Sequence, residues 1–285
     1  MESIRAALRD WLGQRLEPEP LTWLDTTCAA IVSGAPARRF DLAFSSAARR
    51  VGKRSLDLNA AERERAQSLR SGWRPGCWTT EQAARVLLVL QLPADDREAY
   101  KPRLDRSFES ADMGELVALY QALPLLPHPE AHVARCREGL RSNITPVFCA
   151  VAHRNPYPAE QLADDAWNQM VLKALFVGTD LDPIDGLDRR ANPELARMLR
   201  DYAHERWSAG RPVHPELWRC VGAFADDAAL KDLERCLRDG DEATRRAATL
   251  ALAASDDPRA SELAQKYPVE LPAGFGWPDL TGESK

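Results

Sequence analysis

Apolar residues recur at helical spacing along almost the whole chain, and this pattern constrains the fold more than any other feature. The first stripe consists of Ile4, Leu8, Trp11, Leu12 and Leu16. A spacing of about 3.6 residues places all of these side chains on one face of an α-helix. Similar stripes follow through the rest of the sequence. The pattern therefore predicts a fold built from amphipathic helices.

The amino-acid composition agrees with helices and argues against sheets. The 285 residues include 44 Ala and 36 Leu, whereas Ile and Val together contribute only 17. Ala and Leu have a high helix propensity, and the β-branched residues that favour strands are scarce. We therefore expect an all-α protein.

Helix start signals occur in series along the chain. Thr79 with Gln82 and Asp112 with Glu115 have the spacing of capping boxes, each before an apolar stripe. Four prolines follow a plausible capping residue, at Thr145–Pro146, Asn192–Pro193, His214–Pro215 and Asp257–Pro258. Proline is well tolerated at the first position of a helix. These signals predict about a dozen helices with short connections and no strand.

The carboxy-terminal third contains a repeat-like pair of helices. Residues 227–237 predict one helix, and residues 241–254 predict a second after an acidic turn. The stretch 239–253, an acidic turn followed by arginines and small residues, resembles the second half of a HEAT repeat. The segment after it is a candidate start of another unit, so we assign HEAT-like repeats to 227–267. A helical hairpin cannot bury its apolar face without a stacked neighbour. We therefore expect an array of antiparallel helix pairs, a HEAT-like α-solenoid.

The sequence contains no low-complexity linker, so we expect a single helical domain over residues 1–285. The best candidate for an internal boundary is 91–102, where two prolines and several charges interrupt the helical pattern. Residues 268–285 are rich in Pro and Gly and predict an irregular tail.

Charge and cysteine usage exclude several classes of partner. The formal net charge is −5, and an acidic chain does not attract nucleic acid or anionic lipid, so we expect neither as a partner. No apolar run approaches the ~20 residues of a membrane-spanning helix, and the first residues are too charged for a signal peptide. The six cysteines form no Cys-x-x-Cys pair and are typical of reduced, buried thiols. We therefore expect a cytoplasmic protein.

Two clusters have the residue types of a metal site, but neither has the required spacing. His128, His132 and Cys136 recur every four residues, yet Pro129 places His128 before the helix. Four aspartates, at 180, 182, 185 and 188, lack the calcium-loop register, which demands glycine at position six and glutamate at twelve. We predict neither a metal nor a cofactor, and a non-standard ion site at the aspartates is the alternative.

A basic cluster stands out in this acidic chain, consisting of Arg38, Arg39, Arg49, Arg50, Lys53 and Arg54. The segment Val51–Ser55 matches only the end of a phosphate-binding loop and lacks its earlier glycine. We interpret the cluster as a solvated, salt-bridged helix face. A patch for an anionic ligand is the alternative.

The region from His153 to Trp218 is richest in polar and aromatic side chains. No nucleophile, base and orienting group occur together there, so we predict no catalytic residue. A buried polar network that fixes helices is the common role of such residues, and a ligand- or partner-binding face is the other interpretation. The candidates for that face are Asn155, Tyr157, Trp167, Asn168, Lys173, Arg189, His204, Glu205, Arg206 and Trp207.

Three segments of the chain resemble the EboA family. They are LVALYQALPLLP (116–127), NPYPAEQLADDAWNQMVLKALF (155–176) and LDRRANPELARMLRDYAHERWSAGRPVHPELWR (187–219). The resemblance covers most of the chain and is strongest from Trp73 to Phe224. It supplies no catalytic residue, because the family has no assigned reaction.

The resemblance implies a role in a bacterial and algal-plastid gene cluster that makes or moves a secondary-metabolite precursor. The companions of the family look like a prenyltransferase, a sugar-phosphate cyclase and a TatD-like hydrolase. We therefore expect a non-catalytic helical-repeat binding or scaffold protein whose partners are these enzymes. The alternative is an enzyme or carrier for a phosphorylated or prenylated cyclitol-type intermediate, in which Lys173, Arg189 and Arg206 would hold the anion and His204 would move a proton.

Overall fold

The computed structural model describes residues 1–280, and this part of the chain is all-helical. The predicted all-α class is confirmed. Short 3₁₀ segments lie in three of the connections between α-helices in this part of the chain. The helices are α1 (Glu2–Gly13), α2 (Pro18–Val32), α3 (Ala37–Val51), α4 (Ala60–Leu69), α5 (Thr80–Val89), α6 (Arg97–Ser110), α7 (Met113–Ala122), α8 (Val133–Arg141), α9 (Thr145–Ala152), α10 (Tyr157–Gln161), α11 (Asp164–Val177), α12 (Pro193–Ser208), α13 (Asp227–Asp239), α14 (Glu242–Ala253) and α15 (Pro258–Lys266).

Both predicted capping boxes are present. The Thr79 side chain accepts a hydrogen bond from the Gln82 backbone N–H, and the Gln82 side chain accepts one from the Thr79 N–H. Asp112 and Glu115 make the same reciprocal pair before α7. Each box satisfies two backbone donors that the first helical turn leaves unpaired.

The four helix starts that the prolines predicted differ from one another. Asn192 and Asp257 cap α12 and α15 as predicted, each with its side chain accepting from a backbone N–H. At α9 the cap is Ile144, so the helix begins one residue earlier than predicted, and Thr145 is already helical. Pro215 begins a 3₁₀ segment, Pro215–Cys220, instead of an α-helix.

The contacts divide the chain into two compact units, 1–162 and 163–285, of which the second is described as far as residue 280. The division lies at Leu162/Ala163, away from the region 91–102 where the sequence pattern is interrupted. The single domain, like the sub-boundary at 91–102, stays a prediction.

Helix α5 is the centre of the first unit. It packs against α1, α3 and α7, and every residue in it except Gln82 is buried. A helix that is buried on all sides forms the interior of a larger helical assembly. Its two charged residues, Glu81 and Arg85, pair with each other across one turn at 3.1 Å.

The second unit is organised around the 3₁₀ segment Pro215–Cys220. Helices α12 and α14 both pack against this segment, and its Trp218 side chain is fully buried. The following Gly222 makes close packing possible, because a Cβ atom there would meet the Ala251 carbonyl oxygen of α14. The segment therefore holds α12 and α14 in one core.

Helices α13, α14 and α15 pack consecutively on one another. Their bounds follow the predicted helix pair at 227–254 closely, and the HEAT-like solenoid stays a prediction. Beyond α15 the described chain contains a short 3₁₀ turn, Trp277–Asp279, within the predicted irregular tail. Residues 281–285 of that tail lie outside the described part. Among the helices of residues 1–280, none combines the length and the apolarity that crossing a membrane would require.

Candidate functional site

The second unit contains a cleft of about 580 Å³, which we call the Trp207 cleft. Its size is in the range of small-molecule sites. The lining is formed by Leu175, Gly178, Tyr202, Arg206, Trp207, Pro212, Val213, His214, Pro215, Arg235, Cys236, Asp239, Gly240, Asp241 and Thr244.

One wall of the cleft comes from the end of α12 and the chain that follows it. Tyr202 and Arg206 lie one helical turn apart, so both side chains reach the same face. Gly210 adopts a left-handed φ of +63° just after the helix, a conformation that glycine tolerates without steric cost. The turn brings Val213 back into the cleft lining.

Trp207 forms a rigid aromatic shelf in this wall. Its ring stacks on that of Trp218, with 5.7 Å between centroids and 26° between planes. Trp218 is fully buried, so the shelf rests on the core of the unit. A large aromatic ring held in this way offers apolar contact area to a ligand at little cost in conformational entropy.

The opposite wall comes from α13 and the turn into α14. The Arg235 guanidinium lies over the Trp207 ring, 4.1 Å from its centroid, which is a cation–π contact. Asp239, Gly240, Asp241 and Thr244 complete this wall. Residues more than twenty-five positions apart in the sequence therefore meet at one ring.

The two carboxylates in the cleft lining, Asp239 and Asp241, already accept hydrogen bonds within the protein. Both oxygens of Asp239 accept hydrogen bonds from Arg238, at 2.8 and 2.7 Å. Asp241 caps α14, and its side chain accepts from the Thr244 backbone N–H at 2.8 Å. The Arg238 guanidinium lowers the pKa of Asp239, and the bonds with Thr244 lower the pKa of Asp241. Both carboxylates are thus held in the charged form.

A buried carboxylate of α13 bonds side chains of α12 next to Trp207. Asp232 of α13 is 7% exposed and accepts a hydrogen bond from the Arg200 Nε at 2.9 Å. Its other oxygen lies 2.8 Å from the His204 Nε2. The His204 ring contacts Trp207, with 5.4 Å between centroids. The network therefore ties α12 to α13 beside the shelf.

The predicted site residues fall into both units, and the two in the first unit are buried. The Asn155 amide donates to the backbone carbonyl oxygens of Tyr120 and Ala150, each at 3.0 Å. The Tyr157 hydroxyl donates to the Pro129 carbonyl oxygen. Burial raises the pKa of Tyr157, so this hydroxyl stays protonated. Both side chains connect segments within the unit.

In the second unit, Trp167 and Asn168 are buried as well. The amides of Asn168 and Asn192 exchange hydrogen bonds at 3.2 and 2.9 Å, which fixes the residue that caps α12. The Arg190 guanidinium lies over the Trp167 ring at 4.9 Å. These contacts are those of a polar network that joins helices.

The other six candidates are more accessible. Arg189, His204 and Glu205 are exposed, whereas Lys173 is partly buried and desolvation lowers its pKa. Arg206 and Trp207 are the two predicted residues that line the cleft. For all ten candidates a role in binding stays a prediction.

Sequence reasoning missed the opposite wall. Arg235 is one of several charged residues on an amphipathic helix, and no local pattern distinguishes it from its neighbours. Tyr202 could have been found from the sequence, because it precedes the predicted site residue Arg206 by one helical turn and so shares its helix face.

The described residues contain one trio that could offer metal ligands. Donor atoms of Asp180, His214 and Glu216 lie within 4.8 Å of one another. Glu216 is fully buried and accepts from the backbone N–H groups of Leu181, at 2.6 Å, and Asp182, at 3.2 Å. Burial raises the pKa of Glu216 to about 7, and the nearby aspartates add to the rise. Internal contacts therefore account for the position of this carboxylate.

The other predicted clusters also have internal contacts. His128 adopts a left-handed conformation ahead of a 3₁₀ segment, as the position of Pro129 predicted, and His132 Nε2 lies 2.8 Å from the Pro127 carbonyl oxygen. In the basic cluster, Arg54 donates to the Arg15 carbonyl oxygen. A smaller cleft of about 350 Å³ between α2 and α3 is lined in part by Arg39 and Arg50. Both interpretations of the basic cluster stay open.

Comparison with known proteins gives one family match. A model of the family described as metabolite traffic protein EboA matches residues 4–222 of this chain. No curated protein and no solved structure matches significantly. The matched range includes the Trp207 wall of the cleft and ends before α13, which carries Arg235.

Proposed function

This chain belongs to the EboA family of metabolite traffic proteins, and from that premise we propose that it is a non-catalytic helical binding protein whose cargo occupies the Trp207 cleft. The observation that carries the proposal is the shelf itself. A partly buried tryptophan, stacked on a buried one and contacted by Arg235, lines a cleft large enough for a small molecule. Apolar surface with a few convergent polar groups is typical of ligand sites.

The hydrogen bonding around the cleft supports binding without chemistry. The carboxylates of Asp239 and Asp241 are held by Arg238 and by the start of α14. A general base needs a free acceptor near the proton that it removes. These two carboxylates are committed to internal bonds and serve to position the walls.

Traffic also requires a donor and an acceptor for the cargo. The enzymes expected from the gene cluster, which look like a prenyltransferase, a cyclase and a hydrolase, stay the predicted partners. Arg189 and Glu205 are predicted site residues that are exposed and thus accessible to a partner surface.

Steric blocking of the cleft tests the proposal. Calorimetric titration with 1-naphthol and with 1-naphthyl phosphate is expected to give saturable binding, because a fused ring can bury its surface against the apolar lining, which includes Leu175, Pro212 and Val213. Thr244→Trp places a bulky ring in the cleft and is expected to abolish binding with the fold retained, since Thr244 is only partly buried.

Ser261→Trp on the exposed face of α15 is the matched control and is expected to bind like the wild type. Absence of binding to both probes by the wild-type protein would refute the cleft as the cargo site. Equal binding by the Thr244→Trp variant would refute it as well.

A further inference from the structure

We infer that the cargo is an organic anion, with an apolar body against the apolar residues of the cleft and a carboxylate or phosphate group held by Arg206 and Arg235. The inference rests on the proposed function, because it assigns the chemistry of the same cleft. It is carried by the state of the two arginines, because both line the cleft and neither bonds a carboxylate among residues 1–280.

Arginines of the second unit commonly bond two carboxylates. Arg200 bonds Asp226 and Asp232, and Arg219 bonds Asp182 and Asp188. Arg259 bonds the carboxylates of residues 227 and 257. Guanidinium groups in these pairs are neutralised by the protein and are not available to a ligand.

Arg235 has no such partner among residues 1–280. Its contact is with the face of the Trp207 ring, which holds the guanidinium at the cleft while the N–H donors at its edge stay free. The carboxylates next to it in α13 are bonded elsewhere. Glu234 accepts from Lys266 and Tyr267, and Asp239 accepts from Arg238.

Arg206, on the opposite wall of the cleft, likewise bonds no carboxylate among the described residues. Its Nε donates to the Pro212 carbonyl oxygen at 3.0 Å, and its guanidinium lies 6.0 Å from the centre of the Tyr202 ring. Within residues 1–280 its two terminal amino groups have no carboxylate partner. The backbone bond engages the Nε donor and leaves the two terminal amino groups available to a ligand in the cleft.

Two guanidinium groups on either side of an aromatic shelf match a specific ligand chemistry. Arginine binds carboxylate and phosphate through paired, charge-assisted hydrogen bonds, which are about twice as strong as neutral ones. The apolar lining residues, which include Leu175, Pro212 and Val213, favour a molecule with an apolar part over a strongly hydrated inorganic ion. A neutral molecule would leave both arginines unused.

A matched set of probes separates the charge from the shape of the ligand. The wild-type protein is titrated calorimetrically with 1-naphthol, 1-naphthoate and 1-naphthyl phosphate, which share one ring system. We expect at least one of the two anions to bind about ten-fold or more tightly than the alcohol. Comparison of naphthoate with the phosphate shows which head group the arginines prefer.

Substitution of each arginine then assigns the effect. Arg206→Gln and Arg235→Gln are each expected to weaken anion binding about ten-fold and to leave 1-naphthol binding within about two-fold. Arg245→Gln, an exposed arginine of α14 outside the cleft, is the control and is expected to behave like the wild type. Circular dichroism and thermal melting of all variants establish that they are folded.

The outcomes are distinguishable from those for the proposed function. Equal binding of the alcohol and both anions, or anion binding that neither arginine variant changes, would overturn the inference while the cleft remained a binding site. Failure of all three probes to bind the wild-type protein would overturn the proposed function and this inference together.

Discussion

Two arginines stacked on aromatic rings show opposite situations in the two units. In the first unit, Arg85 is 3% exposed, lies 5.6 Å from the Phe44 ring centre, and bonds both the Phe44 carbonyl oxygen and Glu81. In the second unit, Arg235 is exposed, lies on Trp207 and has no carboxylate partner among the described residues. The ring contact is similar, and the hydrogen bonding is not.

The difference separates charges that hold a fold together from charges that are available to a ligand. A buried ion costs several kcal/mol of desolvation, so it persists only with its hydrogen bonds made inside the protein. An exposed guanidinium on a ring keeps most of its hydration and loses little when the ring orients it. Partner bonds, more than position near an aromatic ring, indicate which arginines are available to a ligand.

The largest expected effect concerns the buried pair. Arg85→Ala removes a buried cation and leaves Glu81, among the residues that the structure describes, with only the exposed Lys53 as an ion-pair partner, 3.9 Å away. We expect the free energy of unfolding to fall by about 3 kcal/mol, since breaking a buried ion pair strands a charge in the core. Urea unfolding measures this loss in the free energy of unfolding. A loss below about 1 kcal/mol would mean that Arg85 contributes no more to the stability of the fold than Arg235 does.

A buried charge in the second unit gives a comparable effect that depends on pH. The pKa of Glu216 is raised from 4.5 to about 7, so between these values the folded protein holds a proton that the unfolded chain has released. The free energy of unfolding therefore falls as pH rises through this range, by up to about 3 kcal/mol from this group.

Glu216→Gln removes this contribution from the pH dependence. Urea unfolding at pH 5 and pH 7.5 is expected to show a smaller loss of stability in the variant than in the wild-type protein. The exposed Glu205→Gln serves as the control and should keep the wild-type difference. An identical pH dependence in the Glu216 variant would contradict the raised pKa.

The smallest expected effect on stability comes from replacing Arg235, which bonds no carboxylate among residues 1–280. Arg235→Gln is expected to change the free energy of unfolding by no more than about 0.5 kcal/mol, as is usual for exposed positions without partner bonds. Arg200→Gln, which breaks bonds to Asp226 and to the buried Asp232, is expected to cost more. The contrast fails if the two variants unfold at the same urea concentration.

Much of the fold could be predicted because the decisive signals are local. A capping box such as Thr79–Gln82 lies within four residues, and its hydrogen bonds form wherever the helix forms. The start at Pro215 was less predictable. Proline suits both α- and 3₁₀-helices, and packing between α12 and α14 decided the outcome.

The candidate site was harder to predict because its two walls are distant in the sequence. Arg206 and Trp207 were found from the polar and aromatic composition of their segment. The same criterion also selected Trp167 and Asn168, which are buried in helix contacts. Composition cannot distinguish the core from a cleft, since that difference depends on which helices meet.

The family match ends at residue 222, between the two walls of the cleft. The stretch that forms the shelf, including Trp207 and Trp218, lies inside the match, whereas the hairpin of α13 and α14 lies outside it. In the proposed binding mode, the part of the chain that receives the apolar body is thus separate from the hairpin that supplies Arg235. The head group is then held from both sides of this boundary, because Arg206 lies within the matched residues and Arg235 lies beyond them.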